Sequence, residues 1–482
     1  MSTSKAERGR LRKRASLVAG PVLAAAMGLL AHAAGLSSPA CWTAAITSLC
    51  ATWWIFEPIP LAATALIPFA LFPMVGVLDH RAVARAYGHH LVLLMLAGSM
   101  VSNAMERSGA HRRVALAMVR AVGGQGGRRL VLGFLLAAAT LSMWMSNTAT
   151  TVMLLPVVLA VIDAAEDEAL TLPLLLAVPY GSSIGGCGTP IGTPPNLIAL
   201  EQLRERGGVE LDFTSWMSLA LPVVVLMLPL TWLWLSRRVR SGSRLNLPTL
   251  GAWRASERRV LIVFSIMALA WMTRTGPLGG WSGLLGVENS AGDSTVALLA
   301  VVALFLIPSG DADGTRLLDR RLFSTAGGQS GAPGEPTPLP WGVFVLIGGG
   351  MAIGQAFTAS ELGADLGEAL GFLGRWPSWV VVPLLCLVAT FATEVTSNTA
   401  VANILMPILA AASVGAGGDP LVLLLPAALA VNHAFMLPVA TAPNAIMYGS
   451  GRVSTGQMAR EGVALNLIGV AVISVVTLAL VR

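Results

Sequence analysis

Charge is what this sequence has least of. Only 12% of its 482 residues are Asp, Glu, Lys or Arg, while 55% are hydrophobic, roughly half the charged share of an ordinary globular domain. That balance excludes a soluble fold with a solvated surface. Cysteine is scarce as well. Cys41, Cys50, Cys187 and Cys386 sit within or beside apolar segments and show no Cys-x-x-Cys spacing, so they are core fillers and no metal or redox centre. No nucleotide loop, Ser/His/Asp set or metal cluster stands out, which leaves enzyme activity with little support. His32, His80, His89, His90 and His111 fall near predicted membrane boundaries without ligand spacing. The net charge of +6 implies no nucleic-acid partner, because the arginines follow topology and form no single basic face.

Membrane-length apolar sequence is what the chain has in abundance. About 20 apolar residues cross a hydrocarbon layer of roughly 30 Å, and many windows qualify. The first, Leu17 to Ala34, follows Lys5, Arg8, Arg10, Arg12, Lys13 and Arg14. It exceeds a signal-peptide core and lacks a small-x-small site before a soluble domain, so it reads as a retained span with a cytoplasmic N-terminus. Spans are expected near 16–36, 39–54, 58–77, 91–108, 172–203, 216–236, 259–274, 293–308, 341–357, 420–449 and 461–481. These make about eleven crossings and put the C-terminus outside. Segments 129–165 and 376–413 are expected to be re-entrant hairpins that enter and leave on one side. With that assignment 24 of the 31 Lys and Arg are cytoplasmic, the bias the positive-inside rule requires.

Four polar motifs interrupt this apolar background. Ser146-Asn147-Thr148 is followed 47 residues later by Thr193-Pro194-Pro195-Asn196, and Ser397-Asn398-Thr399 is followed 44 residues later by Thr441-Ala442-Pro443-Asn444. A lone Ser-Asn-Thr in a membrane usually bonds its own backbone or packs at a helix contact. The duplication points instead to one site built by two repeats, since polar groups at that depth need partners. Gly98-Ser99-Met100 recurs as Gly349-Gly350-Met351 at the Ser146-to-Ser397 offset of 251; Gly348, Gly349 and Gly350 read as close helix contacts. The spans at 91–108 and 341–357 run in opposite directions, so the repeats are inverted, a recurring plan for secondary transporters. Glycines and prolines from Gly185 to Pro195 and from Leu437 to Pro443 break their spans. Free carbonyls at such breaks suit a cation and free N–H groups suit an anion.

The two Ser-Asn-Thr motifs, taken with Gly192-Thr193-Pro194-Pro195-Asn196 and Ala440-Thr441-Ala442-Pro443-Asn444, closely resemble the divalent anion/sodium symporter family. The resemblance runs from Trp53-Trp54 and Glu57-Pro58-Ile59-Pro60 to the last span. It implies an all-α polytopic carrier, a homodimer in the bacterial inner membrane, with two sodium sites. One Na⁺ would be held by Ser142, Ser146, Asn147 and Gly192, the other by Thr393, Thr396, Asn398 and Ala440. A small dianionic substrate would meet Asn147, Thr148, Thr193, Asn398, Thr399 and Thr441. Two features depart from the family pattern: Ala442 stands where proline is common, which suggests a less rigid second break, and Asn432-His433 is unusual.

No Lys or Arg lies in the four motifs, so two Na⁺ would offset a dianion and couple the two bindings. Glu394, inside the second tip, is either a structural acid or a proton carrier; His433 is either a packing residue or a substrate or proton contact. The leading expectation is sodium-coupled symport of C4-dicarboxylates such as succinate, malate or fumarate by an elevator motion. The alternatives are sodium-independent exchange, citrate or sulfate as substrate, a sodium/proton antiporter, and a channel or receptor. The expected division is a basic tail at 1–15, scaffold and connecting arm at 16–128, first hairpin and broken helix at 129–203, scaffold and second arm at 204–375, second hairpin and broken helix at 376–449, and a last helix at 450–482. The arms are 108–125, amphipathic on the cytoplasmic surface, and 358–375.

Overall fold

A computed structural model describes residues 5–123, 126–165, 168–239, 251–275, 280–288, 290–311, 314–323, 339–370 and 376–481. Residues 1–4 of the basic tail, Gln125 of the first arm, Glu166 and Asp167 after the first hairpin, Arg240 and Arg244, and residues 371–375 of the second arm lie outside that set. The described residues form helices joined by short turns, with no strand among them. Helices α1 (Lys5–Ala33) and α2 (Ser38–Phe56) pack together, and Val18, Leu29 and Leu30 of α1 are exposed, as a lipid-facing helix requires.

The expected span at 58–77 is instead two short helices, α3 (Leu61–Thr64) and α4 (Ile67–Met74). Pro68 has no N–H to continue α3 and starts α4 in its place. Helix α5 (His80–Tyr87) was not expected; Asp79 caps it by accepting the Ala82 N–H at 2.7 Å, the bond that makes Asp a strong N-cap.

Two similar helix series follow. The first comprises α6 (His90–Ser108), α7 (Ala110–Gly123), α8 (Gly127–Ser142), α9 (Asn147–Ala165), α10 (Glu168–Gly186), α11 (Pro194–Gly207) and α12 (Phe213–Ser236). Helices α13 (Ala255–Met272), α14 (Gly280–Leu284) and α15 (Asp293–Leu306) intervene. The second series is α16 (Trp341–Ala359), α17 (Leu362–Leu370), α18 (Ser378–Thr393), α19 (Asn398–Gly415), α20 (Leu421–Ala430), α21 (Ala442–Gly449) and α22 (Thr455–Leu480). The 251-residue offset maps both ends of α6 onto α16, both ends of α8 onto α18, and the start of α9 onto α19.

Among the described residues, seven helices are long and apolar enough to cross a membrane, and the chain is an all-α integral membrane protein. Helices α18 and α20 are apolar but shorter because each is half of a larger unit, a hairpin and a broken helix.

The hairpins and broken helices pack on one another at glycine contacts. A Cβ at Gly181 would stand 2.6 Å from the Leu135 carbonyl oxygen, and one at Gly185 would overlap the Ala139 carbonyl, so α10 lies directly on α8. Helices α12 and α22 join this group. Trp216 of α12 donates its Nε1–H to the Cys187 carbonyl at 3.0 Å, and Asn466 of α22 accepts the Phe435 N–H at 3.2 Å. The sequence reading grouped α12 with the scaffold; its packing is on α8, α10 and α22, with a smaller contact to α13. The first arm, α7, is fixed to α13 by Arg113, whose guanidinium donates to Glu257 at 2.9 Å and to the Gly251 and Ala252 carbonyls at 3.0 and 2.9 Å. Its inner face, with His111, Leu116 and Val119, is buried.

Candidate substrate and ion site

Each hairpin tip is organised by one hydroxyl and one carboxamide five residues apart. Ser142 Oγ donates to Asn147 Oδ1 at 2.5 Å where α8 ends and α9 begins, and Thr393 Oγ1 donates to Asn398 Oδ1 in the same way between α18 and α19. Ser146 adds a cap, its Oγ accepting the Ala149 N–H at 3.1 Å. Two oxygens as close as Ser142 Oγ and Asn147 Oδ1 suit one hard cation, for which the hydroxyl need only turn its hydrogen away. Gly186 makes room for this pair: a Cβ there would meet Asn147 Oδ1 at 2.7 Å and Thr193 Cγ2 at 2.6 Å.

The breaks are held by the asparagines of the Thr-x-Pro-Asn motifs. Asn196 Nδ2 donates to the Gly186 and Thr189 carbonyls at 2.9 and 2.8 Å, and Asn444 Nδ2 to those of Ala434 and Leu437 at 3.0 and 3.1 Å. Each carboxamide satisfies carbonyls that the interrupted helix leaves open. The sequence reading did not anticipate this bracing role. The backbone of the two breaks agrees at the threonine, Thr441 (φ −139°, ψ 150°) matching Thr193 (φ −146°, ψ 149°), but Thr441 Oγ1 caps α21 by accepting the Asn444 N–H at 3.2 Å, whereas Thr193 makes no such side-chain cap.

Tip and break are tied differently in the two halves. In the first, Thr189 Oγ1 donates to the Met143 carbonyl. In the second, the Glu394 carboxylate accepts from Met436 N at 2.8 Å, Asn466 Nδ2 at 2.7 Å and Leu437 N at 2.9 Å. Three donors on a buried carboxylate are a structural brace, so the geometry favours the structural reading of Glu394. His433 is fully buried, and its Nε2 has no hydrogen-bond partner among the described residues. Its Nδ1–H donates to the Leu429 carbonyl at 2.7 Å and its ring meets Phe435 edge-on at 5.5 Å, outside the residues that line the cavity below.

Tips and breaks surround a cavity of about 770 Å³. Ser146, Asn147, Thr148, Gly192, Thr193, Thr396, Asn398, Thr399, Ala440 and Thr441 all line it. Ser142 and Thr393 stand behind, bonded to the two asparagines. Helices α9, α11, α19 and α21 all begin at this cavity, so four positive dipole ends face it. Sequence reasoning missed Glu57 and the α6 wall of Ser99, Ser102, Asn103 and Glu106. The signal was present in α6 as polar residues three or four apart on an otherwise apolar helix. The lining residues include two glutamates and no Lys or Arg.

The cavity wall includes the C-terminal ends of α2 and α6 and the start of α16. This is the end where Arg107 pairs with Asp319 at 2.6 Å. At the opposite ends of α6 and α16 the scaffold grips α11. His89 Nε2 lies 3.2 Å from Glu201 and 3.1 Å from Arg204 Nη2, Arg204 and Glu201 pair within α11 at 2.8 Å, and Arg206 donates to the Gly354 carbonyl at 3.2 Å. Burial, and then the Arg204 charge, lower the His89 pKa to about 4, so the imidazole is neutral, with its Nε2 between the Glu201 carboxylate and the Arg204 guanidinium.

Paired broken helices and paired hairpin tips around one polar cavity define a membrane transporter. Residues 11–481 match the family described as the sodium:sulfate symporter transmembrane region, and the chain belongs to that family. It is 37% identical over 488 residues to the sodium-dependent dicarboxylate transporter SdcS of Staphylococcus saprophyticus, covering 96% of this chain and 91% of that protein. It is 38% identical over 483 residues to the protein of the same name from Staphylococcus aureus strain USA300, covering 95% and 89%. Its fold is similar to the crystal structure of the Alcanivorax borkumensis YdaH transporter, with a TM-score of 0.53 at 15% identity over 84% of this chain and 87% of that one.

Proposed function

We propose that the protein carries C4-dicarboxylates such as succinate, malate and fumarate across a bacterial plasma membrane together with Na⁺, its N-terminus cytoplasmic and its C-terminus outside. The observation that carries this reading is a doubled hydroxyl–carboxamide tip at a cavity with four helix N-termini and no basic side chain. Helix ends and hydroxyls orient a dianion, but partial dipole charges do not neutralise it. Two cations do. One Na⁺ would take oxygens of Ser142, Ser146, Asn147 and Gly192, the other those of Thr393, Thr396, Asn398 and Ala440. The freed amide nitrogens and the hydroxyls of Thr148, Thr193, Thr399 and Thr441 would meet the two carboxylates. Relatives that span nearly the whole chain carry sodium and dicarboxylate in their names, which supports the same substrates here.

The moving body is α8 to α12 with α18 to α22, because α12 and α22 are bonded to the breaks they flank. Helices α1 to α6 and α13 to α16 are the scaffold, α7 and α17 the arms, and a homodimer completes the proposal. By the positive-inside rule the cavity wall formed by the ends of α2 and α6 and the start of α16 is cytoplasmic. The His89–Glu201 contact closes the outer side. Movement as one loaded unit avoids dragging a half-filled charged site past lipid.

The test is uptake of labelled succinate into proteoliposomes with and without an inward Na⁺ gradient. Gradient-driven accumulation supports symport; uptake that needs internal dicarboxylate and ignores Na⁺ makes the protein an exchanger, and sulfate or citrate accumulation in place of succinate overturns the substrate.

A further inference from the structure

Thr193 and Asn432 line the cavity, and Thr193 Oγ1 and Asn432 Oδ1 are buried with no hydrogen-bond partner among the described residues. Their chemistry differs. A threonine hydroxyl donates to a carboxylate, whereas a carboxamide oxygen only accepts.

The orientation of the Asn432 amide follows from its neighbours. Asn196 spends both N–H groups on the Gly186 and Thr189 carbonyls, so its oxygen faces Asn432 and must be met by a donor; Asn432 Nδ2 supplies it at 3.1 Å. The other Asn432 hydrogen goes to the Ala428 carbonyl at 2.9 Å. The nearby Cys187 thiol is within reach of the Ser183 carbonyl at 3.5 Å and the Leu429 carbonyl at 4.0 Å. Asn432 is fully buried, and its Oδ1 is left as an acceptor in the wall between the two breaks.

This acceptor has no counterpart in the first half. The 248-residue offset that pairs Thr193 with Thr441 and Asn196 with Asn444 pairs Asn432 with Ile184, an apolar residue. An unsubstituted dicarboxylate is read by the doubled part of the site, and its carboxylate oxygens offer Asn432 Oδ1 nothing. We propose that Asn432 is a specificity-determining residue whose Oδ1 accepts a hydrogen bond from a hydroxyl on the transported acid, so that the site prefers 2-hydroxydicarboxylates to unsubstituted acids of equal length. This inference rests on the dicarboxylate reading above.

The experiment compares malate with succinate, which share a four-carbon dicarboxylate frame, in proteoliposomes under a fixed inward Na⁺ gradient. The expected ratio of kcat/KM, malate over succinate, is roughly tenfold or more, since a site built to pair a hydroxyl discriminates against the analogue that lacks it. Asn432→Ala and Asn432→Ser should bring the ratio close to one; a ratio within one variant is insensitive to its expression level. If both variants lose uptake, the relative protection of the purified variants by the two acids against thermal unfolding is read instead, with the same expectation. A wild-type ratio near one overturns the proposal. So does a ratio that survives both substitutions, or a change confined to the Na⁺ half-saturation, which would make Asn432 a cation ligand. Wild-type protein that accumulates neither acid would overturn the dicarboxylate reading itself, an outcome distinct from accumulation of both without preference.

Discussion

Glu394→Gln separates a structural brace from a proton carrier. The native carboxylate takes three donors on two oxygens: Met436 N and Asn466 Nδ2 on Oε1, and Leu437 N on Oε2. Glutamine keeps one acceptor oxygen. In its better orientation the new NH₂ faces the Leu437 N–H, donor against donor; in the other it faces two donors. An orphaned buried N–H costs about 1–3 kcal/mol, and the surviving bonds lose the strengthening that a charged acceptor gives, so the sum is roughly 2–5 kcal/mol. The loss falls on the second break, between Phe435 and Thr441, and so on the half of the cavity that Thr441 and Ala440 line. Purified Glu394→Gln protein should therefore unfold at a clearly lower temperature than wild type, and its residual uptake should keep the wild-type pH profile. A variant with wild-type thermal stability and a displaced or abolished pH optimum would refute the reasoning and make Glu394 a titrating carrier.

Other substitutions probe separate parts of the account. Gly186→Ala should raise the Na⁺ concentration for half-maximal uptake by an order of magnitude or more, because its Cβ would crowd Asn147 Oδ1; Gly449→Ala, which meets nothing within 4 Å, is the control, and equal behaviour of the two would count against the first ion site. His89, held near pKa 4 by burial and Arg204, stays neutral in the folded protein. The unfolded chain takes its proton near the ordinary value of about 6.5, so stability is present above that pH and falls as pH drops toward 4. Thermal unfolding from pH 7 to 5 should show this contribution as the difference between wild type and His89→Gln; His90 and His111, lowered to the same range by burial, act in the same direction and Glu205, raised to about 7 by burial, in the opposite one, and an unaltered profile in the variant would remove His89 from it. Gln202→Cys with Gly354→Cys links α11 to α16, the lost glutamine leaving the space a Cβ at position 354 needs. A bifunctional thiol reagent should stop turnover in this pair while succinate binding persists, and unimpaired turnover of the linked protein would favour local gating over a moving body.

The extent to which this fold is legible in the sequence depends on whether local chemistry is confined to one residue or shared between distant ones. Repeated polar tips are legible because Ser142 with Asn147 and Thr393 with Asn398 are close in sequence and alien to lipid. Breaks are legible because proline and glycine act locally. The split of the expected 58–77 span was harder to see: Pro60, Pro68 and Pro73 lie in a run apolar enough to pass as one helix, and hydropathy outweighed the missing donors. The membership of α12 in the group around the site was not legible, because it rests on Trp216 reaching Cys187, 29 residues away. Glu394 stayed ambiguous for the same reason, its partners Met436, Leu437 and Asn466 being 42 to 72 residues distant. Asn196 and Asn444 carry no role of their own in the motif alone, and only the fold shows them as braces.

The central claim is that anion and sodium occupy one cavity and stabilise each other there. Succinate affinity of the purified protein, measured by calorimetry across rising NaCl with ionic strength held constant by choline chloride, tests it most directly. The account predicts that succinate binds progressively more tightly as Na⁺ rises, that succinate raises Na⁺ affinity by the same factor, and that Asn147→Ala and Asn398→Ala each abolish the linkage in protein that still folds. Succinate affinity that is equal in sodium, potassium and choline, or linkage that survives both substitutions, would contradict it.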